Sequence, residues 1–425
     1  MDISTLIEKL NDKDVNVRLN GLREIMWLYE TGKIDRPKLT KSVNNHIHTT
    51  YSFSPYSPTM AVYKAFAAGL TTAGIMDHDT IAGAKEFIEA GRIAGILTTV
   101  GFETRVKMTS SKYYDRRFNN PDQTSVAYVA CHGVPHQNID AVMEVFTDVR
   151  KKRNERNRKQ VDVLNSIIES SGIKLDFEKD VIPISNYEIG GTITERHILF
   201  ALSLKLILKF GKGEKLVKFL KDGLKIDISP KLEAKLLYLN DEYYEYVLLG
   251  VLKGNLVEKF FIPADDECLT DKEFVSLVKK IGAISAYAYL GDVTDSVTGD
   301  KKAQKFEDDF LDDLIKELKN TGFNAITFMP TRNSPMQLAK LMNMCEENGL
   351  FQICGEDVNS PTQSFVCEAL TKPEYKHLIT ATYALIGHEN AATLNLKNNM
   401  FSKETVERFP VLKDRINYYY RLGKK

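Results

Sequence analysis

The apolar positions of this chain follow two different rhythms. In residues 1–41, apolar side chains recur at helical spacing, which predicts a helical N-terminal extension. From residue 42 onward, short apolar runs of strand length alternate with helical stretches, a pattern typical of βα units. The predicted strands lie at residues 43–48, 71–76, 96–106, 125–132, 282–290, 323–330 and 351–355.

A long helical segment interrupts this alternation. Residues 140–262 are rich in Lys, Glu, Leu and Ile at helical period, with Gly and Pro mainly at the joints. We interpret this segment as a mainly helical insertion. The α/β pattern fills residues 42–139 and resumes over residues 263–425. It predicts parallel strands, in either a barrel or a doubly wound sheet.

The charge balance limits the classes of partner. The chain has 425 residues, and its 57 Lys and Arg equal its 57 Asp and Glu. A hydrophobic content of 43% argues against a disordered chain, and zero net charge argues against a general nucleic-acid binder. Residues 150–159 hold seven basic side chains. This run favours a solvated helix over a nucleic-acid site, although it could help attract a phosphorylated substrate.

Nothing in the sequence predicts a membrane or secreted protein. The N-terminus is acidic where a signal peptide would be basic, and no run approaches the roughly 18 apolar residues of a membrane span. Five cysteines without a C-x-x-C pair favour free thiols in a reducing compartment, so we expect a cytoplasmic protein. The tyrosines at residues 418–420 indicate either C-terminal packing or a homo-oligomer contact.

Titratable residues gather where the predicted strands end. His46 and His48 stand two residues apart on a strand, so both imidazoles point to the same face. Consecutive titratable groups at a buried strand end are costly unless they are paired or ligate a metal. Mixed imidazole and carboxylate ligands suit Zn, Mn or Fe. The candidate residues are His46, His48, Asp77, His78, Asp79, Glu103, His132 and Asp357.

The order of these short motifs resembles the PHP (polymerase and histidinol phosphatase) family. The motifs are H-x-H-T, D-H-D-T, G-x-E, a strand-end His, T-x-R-H and G-x-D, and they run from Asn45 to Asn359. The resemblance implies a distorted (β/α)7 TIM-like barrel that carries a helical insertion. It also implies a metal-dependent phosphoesterase.

The resemblance further implies a set of metal ligands. The matching residues are His46, His48, Glu103 and Asp357 for a first metal site, Glu103, His132 and His197 for a second, and His78 for a third. Glu103 would bridge the first and second ions.

Three positions depart from the family pattern. Phe53 stands where the family has an aspartate, and Tyr287 where an A-H-P motif has its histidine. Asn359 stands where the family has its final histidine ligand, and we keep it as a candidate metal ligand. We therefore expect two divalent metal ions, with a third that is weak, differently liganded or absent. His388 either compensates as a ligand or packs in the C-terminal region.

These residues support a hydrolytic mechanism. Two cations bridged by a carboxylate can acidify a shared water for attack on phosphorus. Asp77, His78 or Asp79 would protonate the leaving oxygen. Arg196 and Arg332 would either clamp a phosphate or form surface salt bridges. The leading hypothesis is a hydrolase of a small phosphorylated molecule. The alternatives are a nuclease of the same fold that acts on single-stranded ends, and a barrel without turnover that serves as a metal-dependent binding or regulatory protein.

Overall fold

The computed structural model describes residues 2–293 and 304–424. Its strands are β1 (Val43–Ile47), β2 (Thr72–His78), β3 (Leu97–Lys107), β4 (Val126–His132), β5 (Leu269–Thr270), β6 (Ile284–Ala288), β7 (Ala325–Phe328) and β8 (Phe351–Cys354). Seven of them pair in the order β1-β2-β3-β4-β6-β7-β8, and the short β5 pairs with β3.

This sheet curls into a nearly closed barrel. The residue Val358, which follows β8, donates its N–H to the carbonyl of His46 (3.1 Å) and accepts from the N–H of His48 (2.9 Å). Neighbouring strands are parallel except at β4, which is antiparallel to both β3 and β6. The predicted distorted barrel is confirmed, and the reversed strand is part of its distortion.

Helices cover the barrel. Before and between the first strands lie α1 (Ile3–Lys9), α2 (Val15–Glu30), α3 (Pro58–Ala67) and α4 (Ala84–Ala94). The insertion holds α5 (Ile139–Ile167), α6 (Glu195–Phe210), α7 (Glu214–Asp222), α8 (Pro230–Leu237) and α9 (Tyr244–Phe260). The later helices are α10 (Asp271–Ile281), α11 (Leu311–Thr321), α12 (Pro335–Glu347), α13 (Lys376–Leu394), α14 (Lys403–Arg408) and α15 (Leu412–Gly423). Within the described ranges, no helix combines the length and the apolar character that crossing a bilayer requires.

The C-terminal helices pack against the interior of the barrel. Ala130 of β4 and Ala286 of β6 share one apolar cluster with Leu385 of α13 and Tyr419 of α15. The backbones of the two helices are in direct contact at Gly387, where a Cβ atom would lie only 2.0 Å from the carbonyl oxygen of Tyr419. Burial of these apolar surfaces seals one end of the barrel.

The helical insertion has an apolar cluster of its own. Ile198 and Leu202 of α6 and Leu248 of α9 belong to it, and Phe53 of the barrel joins them. The Phe53 ring meets the ring of His197 edge-on, with 4.9 Å between centroids. The position where an aspartate was expected therefore serves as an apolar contact between barrel and insertion. The four-segment division of the chain stays a prediction.

A buried ion pair attaches the N-terminal helices. Nε of Arg18, on α2, donates to Oε1 of Glu86, on α4, over 2.7 Å. The same carboxylate oxygen accepts from the hydroxyl of Thr59, at the start of α3, over 2.7 Å. One buried carboxylate thus holds three helices together, and both charged partners are satisfied.

Candidate metal centre

Four donor side chains meet where β1 and β8 end, beside the middle of β3. Nε2 of His48 lies 3.2 Å from Nε2 of His46 and 3.1 Å from Oδ1 of Asp357. Oε2 of Glu103 lies 3.9 Å from Nε2 of His46. His46, His48 and Glu103 each offer one ligand atom within 4.8 Å of the other two. The structure thus brings together the four side chains expected at the first metal site.

Local sequence positions these donors. His46 and His48 are two residues apart on extended backbone, so their side chains project to the same side. Nδ1 of His48 lies 3.2 Å from the hydroxyl of Ser52, which leaves Nε2 to face the other donors. Gly355 lets the end of β8 approach β1, because a Cβ at that position would lie 2.7 Å from Cβ of His46.

The electrostatics of the four donors fit a cation. Burial raises the pKa of Glu103 to about 8 and lowers that of His46 to about 4. Burial also acts to lower the pKa of His48, but the charges of Asp357 and Glu103 outweigh it and raise that pKa. Burial acts to raise the pKa of Asp357, yet His48 and His46 hold it well below its usual range. A divalent cation would compensate both carboxylates, and two imidazole nitrogens with two carboxylate oxygens suit Zn, Mn or Fe.

Asp77 is buried under the loop that follows β1. Its carboxylate accepts from the N–H and the hydroxyl of Thr49, over 2.7 and 2.6 Å, and from the hydroxyl of Ser52 over 2.6 Å. The same Ser52 hydroxyl also contacts Nδ1 of His48, so Asp77 helps to fix the orientation of the His48 ring through Ser52. The structure gives Asp77 a positioning role, and among the described residues Asp77 does not belong to the lining of the cavity next to the donors.

The other two residues of the D-H-D motif differ from each other. Asp79 is buried, with a left-handed φ of +51°, and accepts from the hydroxyl of Thr104 (2.6 Å) and from Arg153. His78 lines a cavity, and its Nδ1 lies 3.1 Å from Oε2 of Glu103. Of the three candidate proton donors, His78 is therefore the one that faces open space.

His132 lies deeper in the barrel than Glu103. The prediction placed it at the same edge as the other strand ends, but β4 runs antiparallel, so His132 pairs with Gly101 while Ala130 pairs with Glu103. Nε2 of His132 is buried and has no hydrogen-bond partner among the described residues. Burial and the nearby charge of His46 lower the pKa of His132 to about 3. His132 therefore lies near His46 but outside the compact donor group.

His197 lies in the first turn of α6. Its Nδ1 accepts a hydrogen bond of 3.0 Å from the backbone N–H of Thr194, which completes the N-terminal cap of α6. Its ring lies against Phe53. In the described part of the chain, the second donor set expected from Glu103, His132 and His197 is not assembled.

One of the two predicted arginines reaches the cavity. Arg196 lines it and donates to Oδ1 of Asn359 over 2.5 Å, while the amide nitrogen of Asn359 donates to Asp357 over 2.6 Å. Nε of Arg332 donates to the carbonyl of Leu290 over 3.3 Å, and Arg332 is not one of the residues found lining this cavity. Asn359 thus links a cationic side chain to a donor carboxylate.

The basic run at residues 150–159 does not form a solvated helix throughout. Arg150, Arg153 and Arg156 are buried on one face of α5. Arg153 and Arg156 donate to the two carboxylate oxygens of Glu195, over 3.2 and 2.9 Å. These arginines recur every three residues, and this spacing predicts that their side chains share one face of a helix. Their carboxylate partners lie far away in the sequence and gave no local signal.

The donors contribute to the lining of a cavity of about 300 Å³. Arg153, Glu195 and Arg196 form another part of its wall, and Gly250 and Val257 of α9 face it from the insertion. Its size and its mixture of charged and apolar walls fit a small ligand.

His388 is part of the C-terminal packing. Its Nε2 lies 3.2 Å from the carbonyl oxygen of Gly133, and its Nδ1 accepts from the N–H of Met400 over 2.9 Å. Both ring nitrogens are thereby engaged by backbone groups. The structure places His388 in the packing role that was one of its two predicted alternatives.

Comparisons of the sequence with known proteins give two matches. The sequence model of the PHP domain family matches residues 44–308. A stretch of 65 residues, 15% of this chain, is 40% identical to a 5′-3′ exoribonuclease of Haemophilus influenzae. The chain spans 24% of the length of that curated relative.

Two solved structures share the fold. A Bifidobacterium adolescentis protein assigned as a metal-dependent phosphoesterase superposes with a TM-score of 0.50 at 19% identity, over 81% of this chain and 96% of that one. An amidohydrolase from Chromobacterium violaceum, with bound sulfate and no metal, superposes with a TM-score of 0.51 at 16% identity, over 80% of this chain and 96% of that one. At these identities the similarity concerns the fold.

Proposed function

Because this chain belongs to the PHP domain family, as its motifs predicted, we propose that it is a divalent-metal-dependent hydrolase. The substrate we propose is a phosphoester of a small molecule. The observation that carries this proposal is the meeting of two histidines and two carboxylates at a cavity that Arg196 also lines. The four donors are His46, His48, Glu103 and Asp357.

These four side chains would hold the cation. A bound divalent cation supplies Lewis acidity at a phosphoryl oxygen and lowers the pKa of water in the site. The donor set suits Zn, Mn or Fe, and metal analysis of the purified protein identifies which ion is bound.

Two further side chains would act on the substrate. The planar guanidinium of Arg196 matches the geometry of phosphate oxygens and would orient them. Burial and the positive charges of His48 and Arg153 hold the pKa of His78 well below its usual range, so the ring is neutral at pH 7. A neutral imidazole of low pKa is a weak base, so it can pass on a proton from the attacking water but does not keep it at pH 7. We assign His78 this role.

A nuclease is the second candidate. The local 40% identity to a 5′-3′ exoribonuclease favours it, because phosphodiester hydrolysis needs the same donors and the same anion-binding arginine. A cavity of about 300 Å³ would admit one terminal nucleotide and not a duplex. Zero net charge counts against tight binding of a long polyanion.

Metal content and a substrate panel test the proposal. The purified protein is analysed by inductively coupled plasma mass spectrometry, then assayed with p-nitrophenyl phosphate, a panel of phosphomonoesters and a single-stranded oligoribonucleotide. Bound metal with hydrolysis of monoesters supports the leading function. Degradation of the oligonucleotide from one end, without monoester turnover, supports the nuclease. Bound metal without any turnover supports the third hypothesis, a binding or regulatory protein.

A further inference from the structure

We propose that this protein holds a single divalent cation, and that the guanidinium of Arg153 occupies the side of the site where a second ion was expected. Arg153 would offer hydrogen-bond donors to an anionic substrate from that side. The inference rests on the proposed hydrolase function and makes it more specific. It differs from the two-ion centre that the sequence predicts.

Of the three ligands expected for a second ion, only Glu103 is among the described residues that line the cavity, and its one further imidazole neighbour there is His78, with Nδ1 3.1 Å from Oε2 of Glu103. His132 lies below it in the barrel, and His197 caps a helix. The side chains that line the cavity near β4 and β6 include Tyr128 and Tyr289. Burial raises the pKa of both phenols, so both are protonated at neutral pH and are poor metal ligands.

Arg153 connects the two segments that would have supplied the second ion. It donates to Asp79 and, over 3.2 Å, to Glu195. The N–H of Asp79 donates to the carbonyl of Glu103 over 2.8 Å, and Glu195 precedes His197 by two residues. The guanidinium therefore lies between the neighbourhood of Glu103 and the start of α6. It is 5% exposed there and contributes to the cavity wall.

The charges around Arg153 are balanced. Three guanidinium groups face three carboxylates in one buried cluster, formed by Arg105, Arg153, Arg156, Asp79, Glu195 and Glu267. Paired in this way, the arginines can stay charged while buried. A divalent cation placed beside Arg153 would face a fixed positive charge, and the two carboxylates that Arg153 contacts, Asp79 and Glu195, are already paired with it. Nε of Arg153 has no hydrogen-bond partner among the described residues, which leaves one donor uncommitted.

Metal stoichiometry tests the single-cation proposal without any variant. The wild-type protein is stripped with a chelator, dialysed against Zn²⁺ or Mn²⁺, desalted and analysed for metal and protein. We expect one ion per chain. Two or three ions per chain overturn the proposal and leave the hydrolase function standing. No bound ion overturns the hydrolase function itself, so the two failures are distinguishable.

The role of Arg153 is tested with Arg153→Met. We expect kcat for p-nitrophenyl phosphate to fall about 100-fold, because a fixed donor to the charge that develops on the phosphoryl group is lost. The metal stoichiometry should stay at one. Arg153→Lys keeps the buried charge and loses the planar fork, so a smaller loss of kcat is expected. If Arg153→Met does not fold, Arg153→Lys tests the role of Arg153 in its place.

Arg156→Met is the matched control. Arg156 is buried on the same face of α5 and bonds the same Glu195, yet it is not among the described residues that line the cavity. We expect it to lower the melting temperature and to keep kcat close to wild type below that temperature. Equal losses of kcat in Arg153→Met and Arg156→Met would overturn the role of Arg153, and so would an unchanged kcat in Arg153→Met.

Discussion

The amide nitrogen of Asn359 donates a 2.6 Å hydrogen bond to Oδ1 of Asp357. The same carboxylate oxygen lies 3.1 Å from Nε2 of His48. The amide oxygen of Asn359 in turn accepts from Arg196. One amide group therefore orients both a donor carboxylate and a cationic wall residue.

Replacement of this amide should weaken metal binding. In Asn359→Ala, Asp357 loses its orienting donor, and we expect the metal dissociation constant to rise about 10-fold, as for other partners of metal ligands. Isothermal titration of the chelator-stripped protein measures it. Asn348→Ala, a change in an asparagine at the end of α12, should leave affinity unchanged. Equal affinity in Asn359→Ala and wild type would refute the orienting role.

Glu103 should be indispensable to the centre. It contacts both His46 and His78, so Glu103→Ala removes a donor from the middle of the site. We expect loss of bound metal and of all hydrolysis, measured by metal analysis and by turnover of p-nitrophenyl phosphate. Glu258→Ala, which changes another carboxylate of the cavity wall, should retain the metal. Unaltered activity in Glu103→Ala would exclude the proposed site.

Metal affinity should depend on pH through Glu103. Burial raises the pKa of this carboxyl to about 8, so the metal-free protein carries a proton there at pH 7. A cation must displace that proton, so we expect affinity to rise with pH up to about 8 and then to level. Calorimetric titrations in buffers of different ionisation enthalpy measure the released protons. Absence of proton release at pH 7 would contradict this account.

Asp77 should affect stability more than proton transfer. Asp77→Ala leaves three buried donors of Thr49 and Ser52 without their acceptor, and we expect the free energy of unfolding to fall by about 3 kcal/mol. Urea unfolding measures this loss. Asp77→Asn keeps one acceptor oxygen and should lose less. If Asp77 were instead the acid, Asp77→Asn would remove one limb of the pH–rate profile while leaving stability near wild type.

The buried His388 should make the fold acid-sensitive. Burial lowers its pKa to about 4 from the ordinary value of about 6.5, so the unfolded chain binds the extra proton between those pH values. Stability from this residue is present above pH 6.5 and is lost as pH falls toward 4, by about 3 kcal/mol in all. Unfolding of the metal-free protein at pH 7 and pH 4.5 measures the difference. His388→Gln should reduce it, whereas exposed His377→Gln should change it less.

The first donor group could be predicted because its signals are local. Two histidines at alternate strand positions must share a face, and the carboxyl ends of parallel strands meet at one edge. These rules bring together His46, His48 and Asp357. They work wherever a strand runs in the same direction as its neighbours.

The positions of the second set of expected donors could not be predicted, because strand direction is a tertiary property, and metal binding by that set stays a prediction. His132 ends a strand as the other candidates do. Because β4 is antiparallel, however, His132 lies beside Gly101 of β3 and not beside Glu103. The burial of Arg153 and Arg156 depends on Glu195 and Glu267, which lie 39 or more positions away. Charge patterns along one helix do not reveal such partners.

Tyr419 packs against the barrel interior, so this part of the core cannot form until α15 has been synthesised. The barrel closes through Val358, and its sealed end is completed by α13 and α15, so strands that are synthesised early are covered only after α15 has been synthesised. While the chain emerges from the ribosome, the apolar inward faces of β4 and β6 stay open to solvent or chaperones. We therefore regard α15 as a determinant of folding yield in the cell, where its removal would act before any catalysis begins.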